Sequence, residues 1–232
     1  MNTRRWTGAA RRFLVPALPG RWTVAHGTLI RGDVGWTVQQ VVLRPARHAP
    51  AVRLDAVVQF LATPAVDRYT CAVPLDGAWD EPASVDDYAP VMAEIARVVG
   101  TEGVPFLDRY GSLDGYLDHL REQAAPDPAV GVDWLDMNTA EELTYLHLVR
   151  GDLAAATDAA REAERSAEED RRHAIPSPWI TEGLERVRAV MAVARRDPRE
   201  ARSLLAGNAA TAAARLGLPA PALDAAPDGT DR

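Results

Sequence analysis

The chain has no lysine, a single cysteine and no long apolar run, and each scarcity closes off a class of protein. A lone thiol, Cys71, excludes an internal disulfide, so nothing points to an oxidising compartment. No stretch approaches the roughly 20 apolar residues that a bilayer-spanning helix needs. The opening residues, MNTRRWTGAARRFLVPALPG, carry arginines but lack the apolar run and small-residue cleavage site of a secretory signal. A cytoplasmic protein without a membrane partner is expected. All 26 basic residues are arginine, in a chain also rich in alanine. That pairing reads as a GC-rich coding bias, so arginine abundance is not taken as a nucleic-acid signal. What remains is ordinary for a folded protein: 232 residues, 47% apolar and 25% charged, enough for a sizeable core without staples.

Residues 4–14 have the helical spacing of Trp6, Ala9, Ala10, Phe13 and Leu14, and Pro16 and Pro19-Gly20 end the pattern. From Arg21 the pattern becomes strand-like, with Trp22, Val24, His26, Thr28 and Ile30 alternating along one run. A turn at residues 31–35, with Asp33 between two glycines, leads to a β-branched run over 36–44. After a loop over 45–50, residues 52–61 alternate again, and 68–73 make a fourth strand ended by Pro74. Short loops between successive strands favour antiparallel neighbours in a meander. Beyond Pro82 the chain is helical, with Ser84 as N-cap, Asp86 and Asp87 in the first turn, and Gly100 or Gly103 as the stop. Ser112 caps a further helix through Leu113, Tyr116, Leu117 and Leu120.

Residues 126–137, with Pro126 and Pro128, form the best boundary. Two helical hairpins follow, turning at Gly151-Asp152 and Asp197-Pro198, 45 residues apart. The expected fold is α+β: an antiparallel meander of three or four strands with helices over 1–125, then helical hairpins over 138–218. A disordered tail is expected over 219–232.

Catalytic signatures are missing. The five histidines, His26, His48, His119, His147 and His173, show no metal-ligand spacing, so neither a metal nor another cofactor is expected. Cys71 lies in a strand with no histidine near it in sequence, and Ser112 opens a helix instead of a nucleophile elbow. The carboxylate pairs Asp86/Asp87, Asp133/Asp136 and Glu141/Glu142 sit at helix starts, where acids favour the dipole. No catalytic residue is assigned.

Residues 35–43 (GWTVQQVVL), 57–60 (VVQF) and 103–117 (GVPFLDRYGSLDGYL) together resemble an uncharacterised bacterial family, a domain of unknown function, over roughly residues 5–125. Residues 146–156 (LHLVRGDLAAA) look like the tight turn of a tetratricopeptide-type hairpin. Neither likeness implies an activity.

Charge is unevenly distributed. Residues 1–53 hold nine arginines against one acid, Asp33, leaving the remainder strongly acidic. The two parts can neutralise each other internally or attract a charged partner. The leading expectation is a non-enzymatic protein-interaction module of immunity, adaptor or regulator type. The alternative is a small-molecule binder or enzyme with a cleft between sheet and helices around residues 103–116, where Gln39, Gln40, Gln59, Asp108, Arg109 and Tyr110 supply polar contacts. Binding of nucleic acid by residues 4–53 ranks third.

Overall fold

The computed structural model describes residues 3–45, 51–64, 69–80, 82–84, 87–124, 135–172 and 178–223. Its sheet begins with β1 (Trp22–Ala25) and β2 (Thr28–Arg31), which the alternation had joined into one strand. The chain instead reverses at His26-Gly27, where φ is 50° and 85° and Ala25 pairs with Thr28. Two successive positive φ values make a turn whose twist matches that of the flanking strands. Histidine in place of the usual asparagine hid the signal.

β2 pairs with β3 (Thr37–Pro45) across the expected turn, and β3 pairs with β4 (Ala51–Phe60) from Thr37↔Phe60 to Pro45↔Val52. β5 (Cys71–Pro74) lies against β4, and the two-residue β6 (Trp79–Asp80) pairs with β4 further along. Every pairing is antiparallel, and β1 to β5 follow in chain order, so the expected meander is present. Pro74 is the last residue of β5, paired with Asp55, and ends the strand as expected. Residues 46–50 and 65–68, including part of the expected fourth strand, lie outside the described residues.

Val41, Ala56, Val58, Phe60 and Cys71 share one face of the pleat, and helices cover it. α1 (Thr3–Ala9) runs on through a π-helical turn, Ala10–Leu14, and a short 3₁₀ turn, Val15–Ala17. Trp6 anchors α1 to the first hairpin by donating from Nε1 to the Gly27 carbonyl at 2.8 Å. α2 (Tyr88–Val98) begins where the Ser84 amide and hydroxyl both bond to the Asp87 carboxylate. The expected stop at Gly100 or Gly103 does not occur. A π-helical turn, Val99–Gly103, carries the chain into α3 (Val104–Tyr110). Its wider ring accommodates Pro105, which has no amide to donate and would crowd a regular helix. A Cβ at Gly103 would come into van der Waals contact with Leu75 and Ala56, so the chain passes close over the sheet there. In α4 (Leu113–Ala124) Ser112 Oγ accepts from the Gly115 amide at 3.0 Å, the expected cap.

Asp136 caps α5 (Met137–Val149) through the amides of Asn138 and Thr139. The hairpin partner of α5 is α6 (Leu153–Arg172), and α7 (Pro178–Arg196) pairs with α8 (Pro198–Arg215), which Asp197 caps. α5 is buried around nearly its whole circumference and touches α4, α6, α7 and α8. Helices buried on all sides are central ones. A single apolar core runs from Trp6 to Leu218. Asn208 on α8 donates to the Ala62 carbonyl at 3.2 Å, returning the helical part to the end of β4. Residues 219–223, expected to begin a disordered tail, instead lie on the body. The Ala222 amide donates to the Val34 carbonyl at 2.8 Å, and Leu223 packs against the core. Residues 125–134, most of the expected boundary, and 224–232 lie outside the described residues. Among the described residues no helix is long and apolar enough to cross a membrane.

Candidate functional site

A shallow trough of about 560 Å³, open to solvent, lies between β5 and the helices α3 and α4. Backbone pairing makes its floor. The Leu75 amide bonds to the Leu54 carbonyl at 2.8 Å. Because such pairs recur every second residue in an antiparallel ladder, Val73 and Cys71 also turn their backbone groups toward β4. The Ala72 amide and carbonyl and the Pro74 carbonyl therefore face outward, and Ala72 is exposed. One end of this edge is closed: the Thr70 carbonyl accepts from Gln123 Nε2 at 3.1 Å, and His119 Nε2 lies 3.0 Å from it. In its Nε2–H tautomer His119 is a second donor.

Aromatic rings make the wall. Phe106 and Tyr110 stack edge to face at 5.1 Å, and Tyr110 meets His119 the same way at 4.9 Å. The Tyr110 hydroxyl donates to Glu122 Oε2 at 2.8 Å, and Arg109 Nη2 donates to Oε1 at 2.6 Å. The Tyr110 bond and the Arg109 charge hold the Glu122 carboxyl below its ordinary value. A surface pair of this kind adds little stability, but it orients the groups that rim the trough.

The six residues predicted as polar contacts divide among three places. Arg109 and Tyr110 line the trough. Gln39 and Asp108 meet beside it through Arg31, whose Nη1 donates to Gln39 Oε1 at 3.2 Å and Asp108 Oδ1 at 2.6 Å. Gln40 and Gln59 are buried on the opposite face of the sheet, joined by an amide hydrogen bond of 3.1 Å. Gln39 and Gln40 thus point to opposite faces, as the pleat requires.

Sequence reasoning missed the strongest electrostatic feature. Glu141 and Glu142, read as dipole-favouring acids at a helix start, lie in the second turn of α5, 1% and 7% exposed. Glu141 is compensated: Arg186 Nε and Nη2 donate to its two oxygens at 2.7 Å each, and the Tyr145 hydroxyl donates at 2.9 Å. Among the described residues Glu142 meets hydroxyls, Thr70 Oγ1 at 2.7 and 2.8 Å and Tyr116 at 2.7 Å. Burial pushes the Glu142 carboxyl up to about 7 against the pull of those two donors. Burial likewise raises the Tyr116 hydroxyl and takes the Cys71 thiol to about 12. A clue was available in the run TAEELTYLHLV, whose apolar residues leave no polar face to carry two acids.

Arginines of the basic segment are largely engaged within the fold. Arg21 pairs with Asp33, Arg44 with Asp55 at 3.0 Å, and Arg11 donates to the Val24 carbonyl at 3.1 Å. A second concavity of about 410 Å³ lies between α6 and α7, rimmed by Arg161, Arg188, Arg195 and Glu164. No group of histidine, cysteine and acidic side chains among the described residues could hold a metal ion. His48 and His173 lie outside the described residues, as do Asp86 and Asp133. No family model, curated protein or solved structure matches this chain.

Proposed function

We propose that the chain is a non-enzymatic protein-interaction module of the cytoplasm, of immunity, adaptor or regulator type, whose partner lays a short extended segment along β5. The observation that carries this reading is the trough itself. It is open along a strand edge, with backbone groups of Ala72 and Pro74 facing out and a wall of Phe106, Tyr110 and His119 beside them. A strand edge gives a partner backbone hydrogen bonds, and an adjacent aromatic wall supplies side-chain selectivity. Pro74 has no amide and the Thr70 carbonyl is already held, so only a short segment can pair. The proposed kinship of α5–α8 with tetratricopeptide-type hairpins is compatible with this role, as is the proposed likeness of residues 5–125 to a domain of unknown function. Internal pairing of Arg21, Arg31 and Arg44 supports charge neutralisation within the fold over nucleic acid as partner.

A second reading, a small-molecule binder or enzyme in the same cleft, draws on one observation: Tyr110, His119 and Glu122 bring three ionisable groups to one wall. Capture from the native host after nuclease treatment, at high salt, separates the two. The interaction reading expects one defined protein retained by the wild type and lost by Phe106→Ala. A folded Phe106→Ala chain that keeps the same protein moves the interface elsewhere. An empty capture together with a metabolite that raises the melting temperature favours the second reading.

A further inference from the structure

Glu142, Thr70 and Tyr116 touch one another in all three combinations. Thr70 Oγ1 lies 2.7 Å from one Glu142 oxygen and 2.8 Å from the other, the Tyr116 hydroxyl lies 2.7 Å from Glu142 Oε2, and the two hydroxyl oxygens are 2.8 Å apart. Three contacts at hydrogen-bond length need three protons, and the two hydroxyls supply two. With Glu142 ionised, both hydroxyl protons go to the carboxylate, and the Thr70–Tyr116 contact sets lone pair against lone pair. A proton on Glu142 supplies the third bond and closes a ring.

The surroundings favour that proton. The titratable and charged groups facing Glu142 are Asp136 and Glu141 from its own end of α5, Tyr116 from α4, and Cys71 from β5. Arg186, the cation that α7 brings to this end of α5, is bound to Glu141. The buried faces of α6, α7 and α8 present alanines, larger apolar side chains, Gly183 and Ser166, without a charge. Among the described residues an ionised Glu142 would therefore be a buried charge without a counter-charge, the costly arrangement.

We propose that Glu142 is a proton-operated pin: protonated, it closes a ring with Thr70 and Tyr116 that ties α5 to α4 and to the residue leading into β5, and ionised, it loosens the Thr70 end of the trough. Thr70 joins the two features. Its hydroxyl belongs to the ring, while its carbonyl is held by His119 and Gln123 at the end of the trough. For the effect on a partner, the inference rests on the trough being the binding site; the pin stands without it.

Because burial raises the carboxyl in the folded chain above its unfolded value, stability is full below the ordinary carboxylate range. It declines as pH rises from about 4.5 toward about 7, and is flat above. The test compares wild type with Glu142→Gln, which keeps shape and removes the titration. Chemical denaturation across that range is expected to show the wild-type unfolding constant rising on the order of 100-fold relative to the variant. Cys71, next to Thr70, reports local opening: the wild-type-to-variant ratio of its maleimide labelling rates cancels thiol chemistry. That ratio should rise by up to about 10-fold between about pH 6 and pH 8. A stability difference and a labelling ratio that both stay level across this range overturn the pin. If Glu142→Gln does not fold, infrared spectroscopy of the wild type decides. A carboxylic-acid band retained at about pH 6 and lost toward about pH 8 supports the inference, and its absence at about pH 6 sinks it. Partner capture at both pH values is read separately. A working pin with Phe106→Ala still binding defeats only the trough, whereas a level pH response with Phe106→Ala unable to bind defeats only the pin.

Discussion

Replacing Arg186 with alanine gives the sharpest test of the core. Glu141 is 1% exposed, and three hydrogen bonds satisfy it, two of them from Arg186. Arg186→Ala leaves a buried carboxylate with one tyrosine donor. Breaking a buried pair from one side costs about 3–5 kcal/mol, most of it the stranded charge. The Arg186 side chain is 34% exposed, so water can enter the gap left by it, and the lower end, about 3 kcal/mol, is expected. Urea unfolding followed by tryptophan fluorescence measures this as a lower midpoint at unchanged slope. A Glu141→Leu, Arg186→Leu double variant removes both charges and should lie within about 1 kcal/mol of wild type. The reasoning is refuted if Arg186→Ala costs less than about 1 kcal/mol, or if the double variant is as unstable as the single one.

Glycines divide by what surrounds them. Gly207 sits inside α8 with open space around it, so Gly207→Ala should stabilise by about 0.5–1 kcal/mol in thermal or chemical denaturation. A Cβ at Gly115 would collide with the Arg109 carbonyl oxygen, so Gly115→Ala should cost about 1–3 kcal/mol by the same assay. Cys71, buried and with its thiol pushed up to about 12, should resist disulfide-exchange reagents at about pH 8 until denaturant unfolds the chain. Stoichiometric labelling of the folded protein within minutes would contradict its placement.

Features written in short stretches of chain were legible in advance. Ser112 caps α4 as expected because a hydroxyl reaches an amide three residues on. Short links between β-branched runs specified an antiparallel meander, since parallel neighbours need a long crossover. Two local signals misled. His26-Gly27 concealed a tight reversal because histidine rarely takes the first positive-φ position, and Gly100 and Gly103 suggested a helix stop where the chain forms a π turn. Arg109 and Tyr110 fell at the trough because they follow Pro105 in the helix that crosses the sheet, whereas Gln40 and Gln59 belong to the other face.

By itself, the sequence determined the division into a strand-rich and a helical part, the antiparallel meander and the capped start of α4. These depend on backbone dihedrals and on partners within about four residues. Only the tertiary structure decided that Glu141 and Glu142, neighbours in the chain, occupy opposite electrostatic situations. Arg186 reaches Glu141 from 45 residues away, and Thr70 reaches Glu142 from 72. The cost of burying a charge is set by whatever folds around it, and no local spacing encodes partners at that distance.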